Sequence, residues 1–359
     1  MRVSQNYWFK TVIFTPVKPD KKMIDFRSDT VTKPTPEMLN FMMSAPVGDD
    51  VFVEDPTIIE LEEYVAELFG FEASLFCTSG TQTNQIAIKV HTQPGDEVIC
   101  HEESHIYRYE GGGMMINSQA SPRFIRDNRG RIIPKLLDDQ VNPNDIHYPI
   151  TKLVSLEDTA NRGGGAVYDF NDILKIKEFC TRNKLKLHLD GARVFNALTE
   201  NNIDIKSYAK PFDSISVCLS KGLGAPVGSI LLGSKAFITK SRRVRKYLGG
   251  GMRQAGIIAA GGLFALKHNV NRLTDDHKRA KDLESFFNNE SWVKTVISVE
   301  TNIVVIVLQN FDKQAEIIHQ YKENDVLLMA FGKGRLRLVT HLHITDSDIE
   351  KVKSIKINT

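Results

Sequence analysis

Paired cysteines are missing from this chain. Its 359 residues hold four, Cys77, Cys100, Cys180 and Cys218, and none are spaced as a CxxC pair, which argues against a structural zinc site. Thiols so few and so scattered suit a reducing compartment, where they pack as small buried side chains, and the location expected is cytoplasmic. No apolar run reaches about 18 residues, so a membrane-spanning helix is not expected. Charge of one sign is also lacking. Against 46 Lys and Arg stand 44 Asp and Glu, a formal net charge of +2, which gives no electrostatic footprint for nucleic acid. Repeats and low-complexity segments are absent. Carboxylates are abundant, but no ligand cluster stands out, and no metal site is assigned.

What is present is ordinary globular composition, 42% hydrophobic and 25% charged, in a chain too long for one small core. The first 22 residues carry Arg2, Lys10, Lys18, Lys21 and Lys22 against one acid, Asp20. They read as a disordered extension, with an organellar signal as the alternative. Residues 23–270 read as a large domain entered by an arm at 23–45, and residues 271–359 as a small α+β domain.

Short apolar strand runs alternate with helical patterns: 73–78, 97–100, 152–156, 185–189, 214–219 and 229–232 as strands, with 82–91 and 171–183 as helices. This order predicts an α/β layered fold with a mostly parallel sheet. Later, 302–308 and 336–340 read as strands and 270–288, 315–324 and 346–354 as helices. Ligands of parallel sheets bind outside the carboxyl ends of the strands. Ser79, Glu157, Asp190 and Lys221 all fall just past such runs.

Lys221 stands between Ser220 and Gly222 after an apolar strand. Lysine is the side chain that forms a Schiff base with an aldehyde cofactor, and small neighbours admit a ring and phosphate. A surface lysine in a glycine turn has the same local pattern. Asp190, about 30 residues upstream, is a strand-end carboxylate of the kind that pairs with the pyridine nitrogen of pyridoxal phosphate (PLP). Arg193 follows with a fork suited to a carboxylate. Cys77-Thr-Ser-Gly-Thr-Gln82 leads into a helix and reads as an anion site or as a plain N-cap. His105 is placed to stack on a cofactor or act as a base, and Tyr109, four residues on, faces the same way if the stretch is helical. Phosphate loop, then aspartate, then lysine is the order of aspartate-aminotransferase-like PLP enzymes.

Seven motifs make this resemblance specific: Met23-Ile-Asp-Phe-Arg-Ser-Asp-Thr-Val-Thr32, Val47-Gly-Asp-Asp50, Ser104-His-Ile-Tyr-Arg-Tyr-Glu110, Asp190-Gly-Ala-Arg-Val-Phe-Asn196, Leu219-Ser-Lys-Gly-Leu-Gly224, Gly249-Gly-Gly-Met-Arg-Gln254 and Arg337-Leu-Val-Thr-His341. In this order they resemble the low-specificity L-threonine aldolases, from about residue 23 to the C-terminus. The resemblance implies a PLP fold with a seven-stranded, mostly parallel sheet and a small C-terminal domain. It implies cleavage of L-threonine, L-allo-threonine and related β-hydroxy-α-amino acids to glycine and an aldehyde. Lys221 is then the Schiff-base lysine, Asp190 the pyridine partner and His105 the stacking residue. Thr78, Gly80 and Thr81 bind the phosphate. Ser28, Arg193 and Arg337 grip the substrate carboxylate, with Tyr109 beside them. Arg253 reaches the cofactor site of a neighbouring subunit in an expected homotetramer, and His147 is a second active-site histidine.

Two departures stand out. After the strand at 152–156 the family run Glu-Asn-Thr-His-Asn is replaced by Glu157-Asp-Thr-Ala-Asn161. Arg162 and Gly163 to Gly165 are also local to this chain. Another PLP-dependent amino-acid lyase acting by β-elimination, or an aminotransferase, is the alternative reading, because one fold supports many chemistries. A silent PLP-fold binding protein is the third.

Overall fold

The computed structural model describes residues 23–127 and 129–358. The extension read at residues 1–22 lies outside them. Among the described residues, thirteen strands fall into three sheets. In chain order they are β1 (Ile24–Asp25), β2 (Ala73–Cys77), β3 (Glu97–His101), β4 (Ser121–Ile125), β5 (Thr151–Glu157), β6 (Lys186–Gly191), β7 (Ser214–Cys218), β8 (Ser229–Gly233), β9 (Val293–Ile297), β10 (Ile303–Leu308), β11 (Val326–Leu327), β12 (Met329–Ala330) and β13 (Arg335–Val339).

The large sheet has seven strands in the order β2-β8-β7-β6-β5-β3-β4. Only β8 runs against the rest, pairing antiparallel with both β2 and β7. The inner strands are buried on both faces, which is why each reads as an unbroken apolar run. β4 was not visible as a strand in the sequence. It contains Pro122, which cannot donate to a ladder, and it lies at the sheet edge, where that loss is tolerated.

The helices start where their caps dictate. Asp55 accepts from the amides of Thr57 and Ile58, with Pro56 in the first turn, and the helix Pro56–Phe69 ends on left-handed Gly70. Ser79 caps the helix Gly80–His91 through the Gln82 amide. One core joins the large sheet to its flanking helices. All four cysteines are free and buried, and burial pushes the Cys77, Cys100 and Cys180 thiols up to about 12.

The second core belongs to the sheet β12-β13-β10-β9 and the helices Leu273–Phe287, Gln314–Glu323 and Asp346–Ser354. The arm divides between the two. Ile24 and Phe26 pack into this second core, and β1 pairs in parallel with β11. Beyond them, the helix Pro36–Met43 packs Met38 and Met42 into the large core. Ser28 to Thr32 therefore cross the cleft between the domains. Among the described residues no helix is long and apolar enough to cross a membrane.

Candidate active site

The carboxyl ends of β3, β5, β6 and β7 converge on a cavity of about 370 Å³ whose far wall is small-domain residues Met329, Ala330, Phe331 and Arg337. Ser28, His105, Tyr109, Arg193 and Lys221 also line it. Parallel strands end together, so residues distant in sequence meet there.

Lys221 sits in a tight loop after β7. The Gly224 amide donates to the Lys221 carbonyl at 2.8 Å, and Gly224 takes φ +81°, a conformation costly for other residues. The Thr32 hydroxyl donates to the same carbonyl at 3.2 Å and ties the arm to the loop. Among the described residues the Lys221 ammonium has no hydrogen bond or ion pair, which leaves it free in the cavity.

Asp190, near the end of β6, is 3% exposed. Its Oδ2 accepts from Asn84 Nδ2 at 2.9 Å and its Oδ1 from the Ala192 amide at 3.2 Å. The same Asn84 amide donates to Glu110 Oε1 at 2.9 Å. Glu110, fully buried, accepts also from Gln85 at 2.5 Å and lies 2.9 Å from His105 Nδ1. That contact puts the His105 proton on Nδ1 and leaves Nε2 for the cavity. Burial works against the imidazolium. The Glu110 hydrogen bond and the charges of Asp190, Glu110 and Glu157 outweigh it, so the His105 pKa is raised. Glu157 is raised by burial and by Asp190, although the His105 and Asn161 amides donate to it at 2.6 and 3.0 Å.

The ligand atoms of His105, Glu110 and Asp190 lie within 4.8 Å of one another, a grouping that sequence did not reveal. Asn84 sits between the two carboxylates as a neutral donor, where a cation would otherwise be needed.

The arginines divide the work. Arg193 makes a two-pronged, buried contact with Asp29, at 2.7 and 2.8 Å. Burial alone would raise the Asp29 carboxyl, but Arg193 holds it at about 2. Two of the five Arg193 N–H donors are therefore taken, and among the described residues its Nη1 is the nitrogen left without a partner, open to another anion. Arg337 donates to Asn161 Oδ1 at 3.1 Å and to the Arg27 carbonyl at 2.8 Å. Its Nε is buried without a partner, and burial, with the charge of Arg193, lowers its pKa to about 10. Ser28 Oγ accepts from Thr30 at the cavity edge.

Thr78, Gly80 and Thr81 lie at the start of the helix Gly80–His91, whose first amides have no helical acceptor. The buried Ser229 hydroxyl is without a partner and stands 3.6 Å from where a Gly80 Cβ would be. An orphaned donor beside a helix N-terminus suits a phosphate. These donors, the free lysine and the strand-end aspartate fit PLP.

Two expected residues lie elsewhere. His147 is in the loop between β4 and β5, its side chain 79% exposed and 2.7 Å from Asp145. Arg253 is 57% exposed and pairs with Asp49 at 3.0 Å. Neither lines the cavity of its own chain. Asp29, Asn84 and Glu110 were not singled out in the sequence, though Asp29 and Glu110 lie within motifs that were. Asn84 has one faint signal, a polar residue on a helix face that also carries Ile88.

The beta-eliminating lyase family profile matches residues 25–310. The low specificity L-threonine aldolase of Escherichia coli K12 is 40% identical, over 92% of this chain and 97% of that protein. Low-specificity L-threonine aldolase 1 of Arabidopsis thaliana is 40% identical, over 91% and 94%. In structure, a threonine aldolase from Leishmania major superposes with a TM-score of 0.77 at 20% identity, covering 92% of this chain and 98% of that one. The fold is shared with PLP-dependent enzymes. The chain belongs to the beta-eliminating lyase family, within its low-specificity L-threonine aldolase branch.

Proposed function

We propose that this chain is a PLP-dependent aldolase that cleaves L-threonine, L-allo-threonine and related β-hydroxy-α-amino acids to glycine and an aldehyde. The observation that carries this reading is the unpartnered Lys221 amine in a cavity that also holds His105, Arg193 and Arg337. The relatives named above support it. Lys221 would hold the cofactor covalently, Asp190 its ring nitrogen, and Thr78, Gly80, Thr81 and Ser229 its phosphate. When bound, the cofactor ring supplies a sink for the electron pair of the Cα–Cβ bond.

The chain's own residues do the rest. Arg337, Arg193 Nη1 and Ser28 hold the α-carboxylate and so fix which bond at Cα can break. His105 Nε2 takes the β-hydroxyl proton as the Cα–Cβ bond breaks, and the aldehyde leaves. Cα then gains a proton, giving glycine. Glu110 keeps the His105 ring in the orientation this needs. Met329 to Phe331 close the cavity from the small-domain side and limit water.

The working assembly is a homotetramer, with a dimer as its minimum. Arg253 and His147 would serve a neighbouring subunit's site, and their exposure in the single chain supports that role. The test is acetaldehyde release from L-allo-threonine by the PLP-loaded protein, with Lys221→Ala as control. Release only in the wild type supports the reading. Transamination or β-elimination products in place of acetaldehyde would overturn it.

A further inference from the structure

We propose that Arg162 is a specificity residue for an anionic side chain, so that the preferred substrate is a β-hydroxy-α-amino acid with a second carboxylate, of the 3-hydroxyaspartate class. The reaction named here rests on the aldolase reading; the anion binding does not.

Arg162 is held by a rigid loop. Ala160 and Ala166 pair across it, with the Ala160 amide on the Ala166 carbonyl at 2.9 Å and the Gly165 amide on the Ala160 carbonyl at 3.0 Å. Gly163 passes so close to the Arg129 carbonyl that a Cβ there would lie 1.9 Å from its oxygen. Gly165 takes φ +75°, and a Cβ on it would meet Thr301 Oγ1 at 2.5 Å. Arg129 clamps the loop, donating to the Gly163 carbonyl at 3.0 Å and pairing with Glu300 at 2.6 Å. Ala160 is 2% exposed, and a Cβ on Gly130 or Gly163 would lie 3.3 Å from its own Cβ, so the absence of side chains at both glycines lets them pack against it. The glycines and Ala160 thus belong to one arrangement, and its outcome is Arg162 on the cavity wall.

The Arg162 charge is poorly answered. Its Nε lies 3.3 Å from Glu103 Oε2, but Glu103 is shared with Arg108 at 2.9 Å. Among the described residues its two terminal nitrogens have no hydrogen bond. Its guanidinium stands 4.1 Å from the Phe331 ring centre, and that of Arg337 stands 5.0 Å from the same ring. The other cations of the cavity are accounted for. Asp29 neutralises Arg193, Lys221 takes the cofactor, and Arg337 faces the α-carboxylate. Arg162 remains, beside Arg337 and with a free planar fork, which suits a second carboxylate on a short substrate. Cleavage of 3-hydroxyaspartate balances as above. The β-hydroxyl loses its proton, the Cα–Cβ bond breaks, glyoxylate leaves and Cα is protonated to glycine.

The test pairs two comparisons on the PLP-loaded protein. One is kcat/KM for 3-hydroxyaspartate against L-threonine. The other is equilibrium binding of L-aspartate against L-2-aminobutyrate, the same two molecules without the hydroxyl, read from the cofactor absorbance and from thermal shift. Each is repeated in Arg162→Gln and Arg162→Lys. The dicarboxylates are preferred by about tenfold or more in the wild type, the value of one charge-assisted contact. The preference vanishes in R162Q and is partly kept in R162K. A wild type with no preference for aspartate overturns the proposal, as does a preference that survives in R162Q. Aspartate discrimination without cleavage of any β-hydroxy amino acid keeps the anion site and sinks the aldolase reading. Threonine cleavage without aspartate discrimination does the reverse.

Discussion

Asp29 and Arg193, 164 positions apart, meet in a buried two-pronged ion pair at 2.7 and 2.8 Å. It joins the arm between the two domains to the residue that starts the helix Val194–Asn201, and it fixes how Arg193 enters the cavity. Removing the carboxylate leaves a guanidinium buried and unanswered. Asp29→Ala therefore lowers stability by about 3–5 kcal/mol and raises KM. The effect has a pH signature. The Asp29 pKa is depressed from 3.8 to about 2, so its contribution is complete above the unfolded value and is lost as pH falls through the folded one. Denaturant midpoints between pH 2 and 7 check this; a variant as stable as wild type at pH 7 contradicts it.

Arg337 carries the larger share of the carboxylate grip, because Asp29 already answers the Arg193 charge, whereas the groups that Arg337 donates to are the neutral Asn161 side chain and Arg27 carbonyl. Arg337→Ala raises KM by about tenfold to a hundredfold, the value of charge-assisted hydrogen bonds. A variant whose KM is unchanged places the carboxylate elsewhere.

Glu110 is a positioning residue, acting through His105 Nδ1. With Glu110→Gln the hydrogen bond can survive but the charge is lost, so the His105 pKa falls. Because His105 acts as a base in its neutral form, the acid limb of kcat/KM moves to lower pH, and kcat falls by about tenfold because a less basic imidazole takes the β-hydroxyl proton. An unshifted limb with normal folding refutes the coupling.

Asp158 stands where the resemblance places an amide. It is fully buried, accepts from the Tyr208 hydroxyl, and has one oxygen without a partner. Burial pushes its carboxyl up to about 7. A raised acid stabilises the fold at low pH and loses that contribution as pH rises from the unfolded value through about 7. Asp158→Asn is therefore the more stable protein at pH 8, by on the order of a few kcal/mol, with the difference shrinking toward pH 4. Equal stability at both pH values contradicts the buried-acid assignment.

How much of this was legible in the sequence follows from where each signal lives. The inner strands could be read because parallel strands are buried on both faces. The edge strand at Ser121–Ile125 could not, because Pro122 and a half-exposed face hide its pattern. The two-residue strands that attach the arm to the small domain carry no periodicity at all. Lys221 and Asp190 were legible as strand-end residues with small neighbours. Asn84 was not, because its importance lies in one amide reaching two carboxylates from different elements. The pairing of Asp29 with Arg193 depends on a chain crossing that only the folded structure supplies.

The most direct test of the central claim is the fate of L-allo-threonine with the purified, PLP-loaded protein. Acetaldehyde is followed through alcohol dehydrogenase and NADH, and glycine is measured in the same samples, with Lys221→Ala beside the wild type. The account predicts equal amounts of glycine and acetaldehyde from the wild type and neither above background from the variant. Wild-type protein that holds the cofactor yet releases no acetaldehyde, or a variant that releases it at the wild-type rate, would contradict it.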